Sequence, residues 1–421
     1  MAMTKEGKGP AAPLLEPSSP TGTSSVQTLG NIIVSIVGTG VLGLPFAFKV
    51  AGWLAGSLGV IIAALSTYYC MLLLVHCRDR LASEEVHTYG DLGFKAFGRT
   101  GRYLTEFLIC ISQCGGSVAY LVFIGQNLSS IVGTHTLTLS SCIFLLVPVE
   151  IALSWIRSLS ALSPFSIFAD ICNVLAIAIV VKEDLQLFDG FSKREVITSV
   201  GGLPFAGGVA VFCFEGFGMT LALEASMRER KNFRWVLGQA FTGITLVYVL
   251  FGFFGYLAYG DQTRDIITLN LPKNWSATAV KIGLCVALAF TFPIMMHPIH
   301  EIVEGKLKET SCFQKLCGGD WIGGGGGGAA EKTAICLSRA LLVLALAVVA
   351  SCVPGFGVFV SFVGSTVCAL LSFVMPAMYH LVLLGPSLRL WQRALDFCLV
   401  VCGLAFAAYG TYNATTSLGT S

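Results

Sequence analysis

The first membrane-length apolar stretch, Ser25–Val50, breaks at its centre into Gly38-Thr39-Gly40-Val41-Leu42-Gly43-Leu44-Pro45. Glycine and proline weaken a helix, and inside hydrocarbon a broken helix bares N–H and C=O groups at a cost of several kcal/mol each. Such a break survives only where protein or a water-filled cavity re-satisfies the backbone. A second stretch, Gly201–Ser226, breaks the same way at Phe214-Glu215-Gly216-Phe217-Gly218. Two interrupted helices in corresponding places of two halves point to a secondary transporter's binding site.

The rest of the chain agrees with a membrane setting. It is 55% hydrophobic and 12% charged over 421 residues, where a soluble domain carries about 25% charge. Eleven apolar spans follow from hydropathy, with approximate limits Ser25–Val50, Leu54–Cys77, Tyr103–Ile131, Leu137–Ile156, Leu159–Val181, Gly201–Ser226, Trp235–Tyr259, Ala277–Val303, Ala334–Val353, Gly355–Leu383 and Leu390–Thr411. The fold class is therefore an all-α polytopic membrane protein. The first span is not a cleavable signal, because a polar segment precedes it and it exceeds an h-region in length. Most of the 15 cysteines lie inside spans, where free cysteine acts as a small hydrophobe. Cys312 and Cys317 lie in a loop, but C-x4-C without histidine is a poor zinc pattern, so no metal or cofactor is expected.

Lysines and arginines divide 18 to 6 between the two sides when the N-terminus is cytosolic, a strong positive-inside bias. The net charge of +2 sits in short loops and gives no sign of nucleic acid as a partner. The sequons at Asn274 and Asn413 then fall on the outer side as glycosylation candidates. Residues 1–24 are expected to form a disordered cytosolic tail carrying Leu14-Leu15, residues 304–333 a flexible cytosolic loop with the Gly323–Gly328 run, and residues 412–421 a short non-cytosolic tail. Between the tails lies a transporter domain, 25–411. The broken spans are the first and the sixth, so five helices make one unit. An odd number of crossings inverts the second unit, giving repeats at about 25–182 and 201–383 and an extra helix at about 390–411.

Gly38-Thr39-Gly40-Val41-Leu42-Gly43 matches G-x-G-x-x-G, but the flanks are a membrane span, with no strand before it and no acid about 20 residues on. The membrane reading explains more. Glycines bare backbone N–H groups, and a half-helix turns its positive end toward the gap, where a carboxylate is stabilised. Glu215 stands mid-membrane, where a charge costs at least about 2.5 kcal/mol, so it either exchanges a proton or stays ionised against a substrate ammonium. His297, in Phe292-Pro293-Ile294-Met295-Met296-His297-Pro298, titrates near neutral pH and is a second proton-coupling candidate. Tyr120, beside Gln113, Gly115 and Gly116, is placed to donate to a carboxylate. Glu150, Asp170, Arg339 and Asp396 lie nearer span ends and are expected to snorkel or pair structurally.

The run from Gly38 to Phe48 resembles the first-helix signature of the amino acid/auxin permease family. Phe214-Glu215-Gly216-Phe217-Gly218-Met219 with Leu223-Glu224 resembles helix six of its proton-coupled amino acid transporter branch. Phe292-Pro293 to His297-Pro298 resembles helix eight of the plant vacuolar neutral amino acid transporters. The resemblance implies a LeuT-like core of five plus five inverted helices with an eleventh. It also implies small neutral amino acids moved with protons across the vacuolar membrane, or alternatively the plasma membrane. Gly38, Thr39, Gly40, Val41 and Gly43 would hold the α-carboxylate, and Phe214, Gly216, Phe217 and Gly218 would meet the amine or side chain.

Two other readings use the same chain. Unwound carbonyls with the hydroxyls of Thr39, Ser361 and Ser365 would suit Na⁺ in place of H⁺. An amino acid sensor would bind substrate and signal through the tail or loop, although neither carries a recognisable interaction module. A membrane enzyme is not expected, since no H-E-x-x-H, G-x-S-x-G or paired aspartates stand inside the spans.

Overall fold

Helix after helix follows along the chain, each stopped by glycine, by proline or by the end of its apolar run. The computed structural model describes residues 22–81, 86–133, 138–156, 159–186, 195–198, 200–272, 274–309 and 326–419. The expected tail up to residue 21, with Leu14 and Leu15, lies outside the described residues, as do Cys312, Cys317, residues 323–325 and the side chain of Asp170. In order, the helices are α1 (Ser25–Ile36), α2 (Leu44–Ala51), α3 (Trp53–Leu81), α4 (Tyr89–Val132), α5 (Leu139–Ser154), α6 (Leu159–Gln186) and α7 (Leu203–Cys213). There follow α8 (Phe217–Ser226), α9 (Phe233–Tyr259), α10 (Trp275–Glu309), α11 (Gly326–Cys352), α12 (Phe356–Val363), α13 (Met375–Leu384) and α14 (Leu390–Gly419). By length and hydropathy, eight segments among the described residues can cross a membrane, or nine with the bent pair of α1 and α2. That count includes α7 and α8 together as Leu203–Ser226, while α5, at 16 residues, is shorter.

α1 starts cleanly because Ser24 and Gln27 cap each other's backbone N–H groups, at 3.3 and 3.0 Å. It ends at Ile36, and a 3₁₀ turn over Thr39–Gly43 leads into α2 at a bend of 48°. Pro45 occupies the first turn of α2, where its missing N–H costs nothing. Gly52 then turns the chain with φ 94°, and a Cβ there would stand 2.5 Å from the carbonyl oxygen of Val196. Helices α12 and α13 are joined by π-helical turns, Gly364–Cys368 and Leu370–Val374. There Gly364 lies directly against the Gly208 carbonyl of α7, so a side chain would part the two helices.

The bundle is apolar outside as well as inside. Leu58, Ile61, Ile62 and Leu65 of α3 recur at helical spacing on an exposed stripe, the arrangement of a surface facing lipid. Below, the end of the bundle where α1 begins is called the entry face, and the opposite end the far face.

Two sequence expectations change. The loop expected over 304–333 narrows, because α10 runs to Glu309 and α11 begins at Gly326, inside the glycine run. Arg339–Glu304 at 2.6 Å and Lys308–Glu331 at 3.0 Å tie these two helix ends together. The tail expected over 412–421 is helical to Gly419, since neither proline nor glycine interrupts α14 after Gly410. α10 passes through Pro293 and Pro298 as one helix.

Candidate functional site

The two breaks meet. A Cβ on Gly40 would stand 3.0 Å from both Cys213 Sγ and Phe212 Cδ1, so only glycine lets the first break lie against the end of α7. Gly216, at the second break, faces back onto Ile36, the last residue of α1, with 3.1 Å from its Cβ position to Cγ1. Tyr120 of α4 closes a third side, its hydroxyl 4.0 Å from the Cβ position of Gly38.

One side chain joins the broken ends directly. The hydroxyl of Tyr248 on α9 lies 3.3 Å from the carbonyl of Ile36 and 3.2 Å from that of Cys213, and it donates to this pair. Both carbonyls belong to last helical turns, whose acceptors otherwise lack partners. Tyr248 is fully buried. Sequence reasoning missed it, because a tyrosine in Leu246-Val247-Tyr248-Val249-Leu250 looks like packing.

Polar groups remain at the junction. The hydroxyl of Thr39 is buried and has no hydrogen-bond partner among the described residues. The N–H groups of Gly38 and Gly216 donate to no described protein group. Glu215 is half-buried in the non-helical turn, and its carboxylate makes no hydrogen bond or ion pair among the described residues. A buried polar group without a partner costs about 1–3 kcal/mol. A junction holding a free hydroxyl, free N–H groups, a phenol and a carboxylate is chemically matched to a zwitterion.

The remaining sequence candidates divide. Val41 is buried within the first break, and Gly218 opens onto free space beside the second. Gly43 serves packing: its Cβ position is 3.3 Å from the ring of Phe356. Phe214 turns its ring away from the junction, stacked on Phe241 at 5.7 Å and close to Tyr248 at 5.1 Å. Phe217 is likewise buried, its ring 6.4 Å from that of Tyr89. Apolar rings next to a polar gap gain more from the core than from the gap, so these two phenylalanines offer the junction backbone, not rings.

His297 is not brought to Glu215. It pairs with Glu301 one turn along α10 at 3.7 Å, toward the entry face. The hydroxyls expected to suit sodium are engaged elsewhere, Ser361 donating to the Phe205 carbonyl at 2.9 Å and Ser365 to that of Phe362 at 3.3 Å. Asn274 is exposed, and its carbonyl oxygen accepts from the Ala277 N–H at 2.8 Å, capping α10. Asn413 is exposed on α14. Arg339 and Asp396 pair as expected, while Glu150 is buried with neither oxygen hydrogen-bonded among the described residues.

The junction is closed on both sides. Toward the far face, Asp265 accepts from the backbone N–H of Phe356 at 3.0 Å and from Gln126 Nε2 at 3.2 Å. There, too, Lys49 Nζ donates to the Thr263 carbonyl at 3.1 Å, and Thr268 donates to Asn127 at 2.7 Å. Toward the entry face, Arg78 of α3 grips the carboxylate of Glu224 on α8 with both terminal nitrogens. Beside it, Thr23 bonds through its backbone to Ser226 and Arg228, at 2.9 and 3.0 Å.

Comparison with known proteins gives the following matches. A family profile described as transmembrane amino acid transporter protein matches residues 21–416. The chain is 65% identical over 409 residues to amino acid transporter ANT1 of Arabidopsis thaliana, covering 94% of each chain. It is 28% identical to the proton-coupled amino acid transporter-like protein pathetic of Drosophila melanogaster, over 94% of this chain and 85% of that one. It is also 28% identical to vacuolar amino acid transporter 4 of Saccharomyces cerevisiae, over 94% of this chain and 59% of that one. In fold it is similar to Mhp1, a nucleobase-cation-symport-1 family transporter, with TM-score 0.54, 12% identity and coverage of 97% and 96%. MhsT in complex with L-phenylalanine is similar too, with TM-score 0.53, 13% identity and coverage of 94% and 100%.

Proposed function

This chain belongs to the transmembrane amino acid transporter family, and from that premise we propose that it carries small neutral amino acids with protons, out of an acidic vacuole into the cytosol, by alternating access. The family and the relatives are transporters, not enzymes. The observation that carries the reading is the meeting of the two helix breaks. Gly40 lies against Phe212 and Cys213, Gly216 against Ile36, and the Tyr120 hydroxyl beside Gly38, while Thr39 and Glu215 stand in the two breaks. In this reading the N–H groups of Gly38 and Gly216, with Thr39, hold the α-carboxylate, Tyr120 adds a donor, and Glu215 exchanges the proton or meets the ammonium.

The spans then number eleven. α1–α2, α3, α4, α5 and α6 make one set of five, α7–α8, α9, α10, α11 and α12–α13 the inverted set, and α14 stands outside both. The entry face is cytosolic on the 18-to-6 division of basic residues. The relatives' names supply the vacuole and the proton. Sodium is the weaker choice, because Glu215 offers a protonatable group at the second break. A proton gradient is sufficient: each pH unit supplies about 1.36 kcal/mol, so two units sustain roughly a hundredfold amino acid gradient.

The test is uptake of a neutral amino acid panel into liposomes holding the purified protein, with pH and sodium gradients set independently. Flux should follow the pH gradient and ignore sodium; flux that follows sodium and ignores pH overturns the proton. Glu215→Gln should flatten the pH dependence more than it weakens binding. Unchanged pH dependence in that variant removes Glu215 from the proton's path.

A further inference from the structure

A second ionisable chain lies away from the helix breaks, near the entry face. On α14, Asp396 is fully buried, and its Oδ2 lies 2.6 Å from Nδ1 of His380 on α13, itself buried. Nε2 of His380 lies 3.0 Å from Nδ1 of His76 on α3. His76 is half-buried, and its Nε2 accepts from Nε–H of Arg80 at 3.4 Å. His76 and Arg80 then open onto a cavity of about 300 Å³ lined also by Ser387, Arg389, Trp391 and Gln392. Other titratable and charged groups face this chain. Tyr69 donates to Asp396 Oδ1 at 3.4 Å, Cys70 and Cys77 of α3 lie near Asp396, and Asp79 and Arg234 flank His76.

The partners fix the tautomers. Arginine only donates, so neutral His76 accepts at Nε2 and carries its hydrogen on Nδ1. That hydrogen points at Nε2 of His380, which must accept, so His380 carries its own hydrogen on Nδ1 and donates it to Asp396. Every hydrogen bond therefore runs inward, from Arg80 to the carboxylate.

We propose that His76, His380 and Asp396 form a proton-binding site open to the entry face, whose occupancy is relayed through Arg80 to the Arg78–Glu224 pair on α8. A proton arriving from the cavity lands on Nε2 of His76, and Arg80, which cannot donate to an N–H, leaves. His76 passes its Nδ1 hydrogen to Nε2 of His380. One proton has entered and none has left. The product is an imidazolium at His380 against the Asp396 carboxylate, with neutral His76 protonated on Nε2. The released Arg80 follows Asp79, which lies 3.3 Å from Arg234 and 3.6 Å from Arg78. Arg78 in turn holds Glu224 on the second half of the broken helix, so loading the site disturbs the entry-face closure. Only this last link rests on the transport reading.

The bland competitor is a His–Asp tie that merely pins α14 to α13. The two are separated by titrating purified protein labelled with ¹⁵N-histidine, in detergent and without substrate. His76 and His380 should shift together in one shared step. His76→Gln should remove that step from His380, and Asp396→Asn should displace it at both rings by about one pH unit or more. A His380 that does not titrate in the wild type, or whose step is unchanged in folded His76→Gln, overturns the proposal. Should Asp396→Asn fail to fold, the half-buried His76→Gln decides alone. The shared step in a protein that shows no amino acid flux upholds the site and sinks the transport reading instead.

Discussion

The two closures over the junction are built from different chemistry. At the far face one carboxylate, Asp265, is satisfied by a backbone N–H and a glutamine amide, with no arginine bonded to it among the described residues. At the entry face a buried arginine and glutamate grip each other, and the chain ahead of α1 is stitched to the end of α8 through main-chain bonds. A carboxylate bound by neutral donors gives up its hold when it is protonated. A buried ion pair holds until one partner is neutralised or pulled away, and then leaves an uncompensated charge. The far closure is thus held by neutral donors and the entry closure by opposite charges.

The largest break in that comparison is Arg78→Ala. Removing one partner of a buried pair costs about 3–5 kcal/mol, so the variant should lose that much stability in thermal unfolding and carry little substrate. A variant melting within a degree of wild type would show that the pair is not a closure. Asp265→Asn comes next. It keeps the size but removes the charge from a charge-assisted bond of about 1.5–3 kcal/mol. The expected outcome is a far face that opens more readily, read as faster substrate exchange from that side; an unchanged rate would show that Asp265 is not a closure.

Tyr248→Phe should act on both faces equally. The ring keeps its packing on Phe214, but two buried carbonyls lose a donor, at about 1–3 kcal/mol. Flux should fall in both directions by a similar factor, measured as entry and exit rates in the same vesicles; a one-sided loss would break the symmetry. The smallest effect belongs to Thr23→Ala. Its main-chain bonds remain and only hydroxyl contacts to Thr28 and Ser226 go, so a change of about 0.5 kcal/mol or less is expected in the melting curve.

Much of this architecture was legible in the residues, for local reasons. Glycine and proline in an apolar run act on the backbone where they stand, so both breaks were visible at residues 38–45 and 214–218. Partners were not visible, because they are set by packing between distant segments. Arg78 and Glu224 are 146 positions apart, and each alone passes for a snorkelling end residue. Phe214 and Phe217 belong to the site in what the family resemblance implies. In the folded chain their rings turn to the aromatic cluster around Tyr248 and Tyr89, a choice that neighbouring helices make. The pairing of His297 with Glu301, one turn on, was likewise not weighed in the sequence reading.

The phenol of Tyr248 has one hydrogen and two acceptors, one from each interrupted span. When one half swings away, the whole hydrogen passes to the acceptor that stays, so the pin survives the movement of either break alone. It is lost only when both carbonyls leave together, which penalises parting both breaks at once.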